Sequence, residues 1–285
     1  MAVHNSYPPR VKQKAEQVAR KAVDNPWFER LARSGYASKG VVYLLAGLFS
    51  ARAAFGLGGQ TTDKNGALLA LLAEPFGQLV LILIAIGLLG FVLLRFVQAF
   101  MDPERKGSGA KGIAERAGYA INGLLYGILA LTAARLAIGA HADTNSSLQG
   151  WVSTLFGHPF GRWLVGIAGL IVLGGGLQLL YKAYAMDFSE HFRWDAMSAY
   201  ERTWTTWLGR AGLAARGIVQ GLIGAFMIQA TLRFDASRVQ GTGGALQSLA
   251  HPPFGLWTIG VVAVGLAAYG IYMLAAARYS RIVMR

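Results

Sequence analysis

Six apolar stretches follow one another along this chain, and each is close to the length of a membrane-crossing helix. They cover residues 37–57, 78–100, 118–139, 161–184, 212–232 and 255–277. A helix of about 20 residues spans the roughly 30 Å of hydrocarbon in a bilayer. With 54% hydrophobic and 14% charged residues, the chain has too little polar surface to coat a soluble globule around six such helices. The pattern predicts an all-α membrane protein with six transmembrane helices.

The net charge of +13 is unevenly distributed along the chain. Lysine and arginine are concentrated before the first stretch, between the second and third, between the fourth and fifth, and after the sixth. This is the positive-inside pattern, so we expect both termini in the cytoplasm. The basic segments then predict contact with the bilayer and its anionic lipids, and not with nucleic acid. Cysteine is absent, which excludes disulfides and thiolate metal sites.

An eleven-residue motif occurs three times, each time at the start of an apolar stretch. The copies are RSGYASKGVVY from Arg33, RAGYAINGLLY from Arg116 and RAGLAARGIVQ from Arg210. A second landmark, PFG, follows these arginines by 42, 43 and 43 residues, at Pro75, Pro159 and Pro253. Such constant spacing indicates an internal repeat of two helices.

The repeats divide the chain into a basic amphipathic tail, residues 1–30, and three units, residues 31–103, 114–187 and 208–281. Two crossings per unit return each copy to the same side, so the repeats are parallel and related by an axis along the membrane normal. We therefore predict a pseudo-threefold arrangement of three helical hairpins. The tail is expected to lie on the inner leaflet, with docking to a cytosolic partner as the alternative.

A short segment before each PFG repeats its own apolar pattern. Leucine or valine recurs three residues apart, as on one face of a helix. These positions are Leu68 and Leu71, Val152 and Leu155, and Leu246 and Leu249. The pattern predicts a short helix in the outer membrane interface, and a re-entrant hairpin is the alternative.

The threefold R-x-G-Y-A-x-x-G…G-A-L-x-x-L…P-F-G pattern resembles the bacterial membrane family called domain of unknown function 1206, which carries the two-helix unit three times. The third copy departs most, with Leu213 in place of Tyr36 and Tyr119, and Gln220 in place of tyrosine. The resemblance implies the fold and a location in the bacterial plasma (inner) membrane. It implies no activity, cofactor or catalytic residue.

The motif itself suggests two roles. Its arginines lie at the cytoplasmic edge, where a guanidinium group can reach a lipid phosphate; they are Arg33, Arg116 and Arg210. Its glycines allow close helix packing in a membrane. They are Gly35, Gly40, Gly118, Gly123, Gly212 and Gly217.

Polar residues also occupy one equivalent position deeper in the first helix of each repeat. Arg52 and Arg135 lie nineteen residues after the motif arginine, and Gln229 takes that place in the third copy. Ionisable residues at such depth mark a binding site or pathway. The alternative is that the long arginine side chains extend outward to the interface.

A carboxylate and two imidazoles precede the PFG landmarks at Glu74, His158 and His251. This ligand set occurs in some iron and zinc sites, but His251 is out of register by one residue, and interfacial capping or hydrogen bonding is the ordinary explanation. The chain contains no serine elbow, HExxH motif or phosphate loop, and no buried carboxylates within the stretches. We expect no cofactor.

Three functions remain open on the sequence. The first is a non-enzymatic pore, carrier or lipid-binding scaffold organised by the level of Arg52, Arg135 and Gln229. The second is a structural or assembly subunit that packs against an unidentified membrane complex. The third and weakest is a metal-dependent membrane enzyme.

Overall fold

The computed structural model describes residues 26–56, 64–101, 109–140, 148–185, 192–249 and 255–280. Among these residues there is no β-strand. The α-helices are α1 Pro26–Ala54, α2 Lys64–Leu72, α3 Gly77–Met101, α4 Ala110–Ala137, α5 Leu148–Phe156, α6 Gly161–Ala185, α7 Ala199–Arg233, α8 Thr242–Ser248 and α9 Gly255–Tyr279. Nearly all of the predicted tail, residues 1–30, lies outside the described residues.

Five described helices are long and apolar enough to cross a membrane: α3, α4, α6, α7 and α9. The sixth predicted span is not confirmed, because α1 is not among them. Lys39 and Arg52 interrupt the apolar run of α1 and lower its mean hydropathy. The protein is thus an all-helical membrane protein with five candidate spans.

The long helices pack against one another in a continuous series. α3 packs on both α1 and α4, α7 packs on both α6 and α9, and α9 packs on α1. The series runs α4–α3–α1–α9–α7–α6, so the third repeat contacts the first. Its two ends, α4 and α6, are the two helices of the second repeat, and within the described ranges they make at most marginal contact. We call the space between them the α4–α6 gap.

The PFG landmark forms the turn between a short helix and the following long helix. The backbone N–H of Gly77 donates to the carbonyl of Glu74, and that of Gly161 donates to His158. A side chain on either glycine would collide with the carbonyl of Leu71 or Leu155 at the end of the short helix. Glycine is required here by the close approach of the two helices, and α3 and α6 begin at the glycine and not at the proline.

The short helices bury the face that the sequence predicts. Leu68 and Leu246 are fully buried and Val152 is 3% exposed. α2 packs on α1, α3 and α4, whereas α5 packs on α6 and on the short 3₁₀ turn Ala236–Arg238. The three short helices therefore occupy different surroundings despite their shared pattern.

Candidate functional site

The first glycine of the motif packs within the hairpin, and the second packs between repeats. A Cβ on Gly35 would lie 2.5 Å from the backbone nitrogen of Phe91 in α3 of the same repeat. A Cβ on Gly40 would lie 2.8 Å from the carbonyl oxygen of Gly270 in α9 of the third repeat. The motif thus specifies two helix contacts at once, which is a physical reason for its repetition.

The same division of roles holds in the other repeats, with one exception. A Cβ on Gly212 would lie 2.5 Å from the Cα of Tyr269, and one on Gly217 would lie 2.9 Å from the carbonyl oxygen of Gly176. A Cβ on Gly123 would lie 3.3 Å from the Cβ of Arg95. Gly118, by contrast, has no atom within 4 Å of the Cβ position.

Two of the motif arginines bind the end of a neighbouring helix. Arg33 donates from Nη1 to the carbonyl of Ala277 at 2.8 Å and also pairs with Glu29 at 2.7 Å. Arg116 donates from Nε to the carbonyl of Ala99 at 2.7 Å. These contacts satisfy the last carbonyls of α9 and α3. Arg210 is exposed, and a phosphate contact of these arginines stays a prediction.

Arg52, Arg135 and Gln229 are all exposed on the outer faces of their helices. They contribute nothing to the interior cluster of charges described below. Their exposure matches the alternative in which the long side chains extend outward to the interface.

The structure does not bring the three predicted metal ligands together into a described site. Glu74 and His158 are exposed, and His251 lies outside the described residues. In the part of the chain that the structure covers, no three His, Asp or Glu side chains are placed to hold a metal ion.

Four basic side chains from four helices converge inside the helix series. They are Lys39 of α1, Lys64 of α2, Arg95 of α3 and Arg216 of α7, and we call them the cation cluster. Lys39 is 3% exposed and lies within electrostatic reach of the other three. Its Nζ is 4.7 Å from the ring centroid of Phe91.

Tyrosines separate the cations and hold them in place. Arg216 donates from Nη1 to the hydroxyl of Tyr269 at 2.8 Å, and its Cζ lies 5.7 Å from the ring centroid of Tyr43. Lys64 places its Nζ 4.8 Å from the same ring of Tyr43. The hydroxyl of Tyr126, from α4, donates to that of Tyr43 at 3.4 Å. Side chains of α1, α2, α4, α7 and α9 therefore meet in one interior site.

The acidic residues of α1 and α7 lie far along these helices from Lys39 and Arg216. Acidic residues in the described α-helices occur at Glu29, Glu115 and Glu201, each within the first six residues of its helix. Lys39 and Arg216 lie 10 and 15 residues further along, which is about 15 Å or more. Cation–π contacts of about 2 kcal/mol offset only part of the cost of a buried cation, about 3 kcal/mol at membrane depth. Four cations that converge in one site favour the binding of an anion.

The motif contained a signal for this site. Lys39, Asn122 and Arg216 are the seventh residue of the three motif copies. The carbonyl oxygen Oδ1 of the Asn122 side chain is buried and has no hydrogen-bond partner in the described structure. A comparison of the seventh motif residue across the three repeats would have shown that it is polar in every copy, although it lies within an apolar stretch. Lys64 and Arg95 have no basic equivalents in the other repeats, so the repeat pattern does not predict them, and only the fold places them in the cation cluster.

The three repeats also correspond to the repeats of a known protein family. A family model described as Domain of Unknown Function (DUF1206) matches residues 34–102, 117–185 and 211–280, one match for each predicted repeat. The chain belongs to the DUF1206 family. This DUF1206 chain is 32% identical to "Uncharacterized protein YxxB" of Bacillus subtilis (strain 168) over 272 residues, 95% of each chain. No solved structure matches it.

Proposed function

We propose that the protein is a non-enzymatic carrier or lipid-binding scaffold that binds an anionic group at the cation cluster. The observation that supports the proposal is a set of four converging cations, one of them 3% exposed, in helices whose acidic residues are confined to their first turns. Phosphate or carboxylate oxygens would accept from the two lysines and two arginines.

The proposal includes the membrane arrangement. α1 crosses the bilayer as the sixth span, because the charges that lower its hydropathy face the interior at Lys39 or lie near its outer end at Arg52. The three hairpins then surround the cluster with pseudo-threefold symmetry, in the plasma membrane, with both termini in the cytoplasm. The chain has no cysteine, so a single cysteine at either terminus should react with an impermeant maleimide only after permeabilisation. Gly139→Cys should react from outside.

Anion binding is tested with inorganic phosphate and the purified full chain in detergent. We expect phosphate to raise the unfolding temperature of the wild type. Lys39→Met and Arg216→Met should abolish this shift. Lys182→Met and Arg233→Met remove the same charges at exposed positions and should leave it unchanged.

The same variants distinguish a binding site from a structural one. Without phosphate, Lys39→Met should unfold at a higher temperature than the wild type, because it removes mutual repulsion among buried cations. A lower unfolding temperature together with an unchanged phosphate shift would show that the lysine only supports packing, and the proposal would be wrong.

A further inference from the structure

We infer that the α4–α6 gap is a lateral entrance through which an anionic phospholipid places its headgroup at the cation cluster. The inference rests on the proposed function and names the class of ligand. It follows from the residues that keep the gap open, from the position of the gap beside the cluster, and from the helices that cover the cluster laterally and on its outer side.

The gap is encoded in the sequence of the second repeat. In the first hairpin, Gly87 of α3 packs so tightly on Ser38 of α1 that a Cβ on Gly87 would collide with the serine hydroxyl. In the third hairpin, a Cβ on Gly265 would lie 2.5 Å from the Cβ of Ala215. Both closed hairpins therefore cross at a pair of small residues.

The second repeat has isoleucine at both equivalent positions. Ile121 lies five residues after the motif arginine, as Ser38 does, and Ile171 lies twelve residues after the proline of PFG, as Gly87 does. Their side chains are 57% and 66% exposed. Two branched side chains cannot occupy the place of a glycine and a serine, so the helices stay apart.

The gap borders the cation cluster along α4. Tyr119 follows the open Gly118 and places its ring centroid 5.3 Å from Cζ of Arg95. Asn122 follows Ile121 and carries the unpartnered Oδ1. On the opposite side, Gln220 donates to the carbonyl of Val172 in α6 at 3.3 Å, whereas its two repeat equivalents are the tyrosines that meet in the interior. Gln220 is thus turned toward α6, one of the two helices that border the gap.

Helices on both flanks and α2 at the outer side cover the cluster. The helix contacts from α4 round to α6 enclose it laterally, and α2 covers it by packing on α1, α3 and α4 with Lys64 directed into the cluster. The exposed side chains of α4 and α6 are largely apolar, which suits acyl chains and not hydrated ions. Lys39 lies six residues beyond Arg33, about 9 Å inside the level of the motif arginines. A bound headgroup is therefore drawn into the protein, which separates this site from ordinary contact with surrounding lipid.

The test measures lipids retained by the purified full chain with native mass spectrometry, using dioleoyl phosphatidylglycerol and dioleoyl phosphatidylcholine. We expect the wild type to prefer phosphatidylglycerol by about tenfold or more. The double variant Ile121→Ser with Ile171→Gly gives the second hairpin the residues of the first, and it should lose the preference. Ile86→Gly with Ile271→Ser makes matched changes at exposed positions of α3 and α9 and should retain it.

A second variant closes the gap after folding. Ile121→Cys with Ile171→Cys introduces two cysteines into a cysteine-free chain, and a short bismaleimide then joins them in the purified protein. Lipid preference is compared in one sample before and after the reaction. We expect the preference before cross-linking and its loss afterwards.

The outcomes separate this inference from the proposed function. If Lys39→Met and Arg216→Met abolish the preference while both closed forms keep it, the entrance is wrong and the anion site stands. The entrance is also wrong, and the anion site stands, if phosphate binds but the two lipids are retained equally.

A lipid-free dimer that dissociates when the gap is closed would show that a second copy fills the gap, and would also overturn the inference. If the charge variants bind both probes as the wild type does, the proposed function falls as well.

Discussion

The first and third hairpins of this protein are closed, and the second is open. α1 packs on α3, and α7 packs on α9, but α4 and α6 make at most marginal contact in the described structure. The second long helix has 25 residues in every repeat, and the landmarks have nearly equal spacing in all three repeats. At the crossing point the closed hairpins pair small residues, whereas the second hairpin has Ile121 and Ile171.

This difference shows how helix association is controlled in a bilayer. Lipid tails solvate an apolar helix as well as another helix does, so two helices associate only where their backbones approach closely. Gly35 and Gly212 permit that approach and lie against the next helix, whereas Gly118 faces open space. A glycine in the motif is therefore necessary for closure but is insufficient when the partner position carries isoleucine.

The largest effects are expected for a large side chain at the first motif glycine. Gly35→Leu and Gly212→Leu must displace α3 and α9, because the new side chain meets backbone atoms at 2.5 Å. Each should lower the free energy of unfolding by more than about 3 kcal/mol. Gly118→Leu should change it by less than about 0.5 kcal/mol. Unfolding in a denaturing detergent titration measures all three, and equal losses would contradict an open second hairpin.

A smaller difference is expected among the motif arginines. Arg33→Met and Arg116→Met remove charged donors from the last carbonyls of α9 and α3, and each should lower stability by about 2 kcal/mol. Arg210→Met, at the exposed equivalent position, should have an effect within about 0.5 kcal/mol. Thermal unfolding in detergent provides the comparison. A large loss for Arg210→Met would mean that α6 is held at its end as firmly as the other helices.

The sequence predicted the helices and the repeat but not which side chains would meet. Constant spacing from motif to PFG is a property of the chain alone, so the two-helix units could be found by counting. The direction of a polar side chain depends on how helices rotate against one another, so the sequence leaves Arg52 open between a binding site and an outward-extending side chain, and the structure places it on an exposed face. Lys39 and Lys64 are distant in the sequence, and only the fold brings them together.

The second motif glycine should show a graded response to alanine. Cβ atoms on Gly40 and Gly217 would lie 2.8 and 2.9 Å from backbone carbonyl oxygens of the neighbouring repeat. The expected loss is about 1–2 kcal/mol for each. Gly123 meets a side chain at 3.3 Å, so the gain in helix propensity should offset the contact and leave stability nearly unchanged. The same thermal measurement ranks the three, and an effect of Gly123→Ala as large as the others would show an equally tight second interface.

The smallest effect has the opposite sign and tests the gap most directly. Gly118 of α4 and Gly174 of α6 belong to the second hairpin, and neither has an atom within 4 Å of its Cβ position. Alanine at either site adds helix propensity without a collision, so each variant should gain up to about 1 kcal/mol. Gly90, the repeat equivalent of Gly174, lies against the carbonyl of Leu31, so Gly90→Ala should lose stability. If Gly118→Ala and Gly174→Ala are also destabilising in lipid nanodiscs, α4 and α6 meet in the membrane, and the hairpins no longer differ.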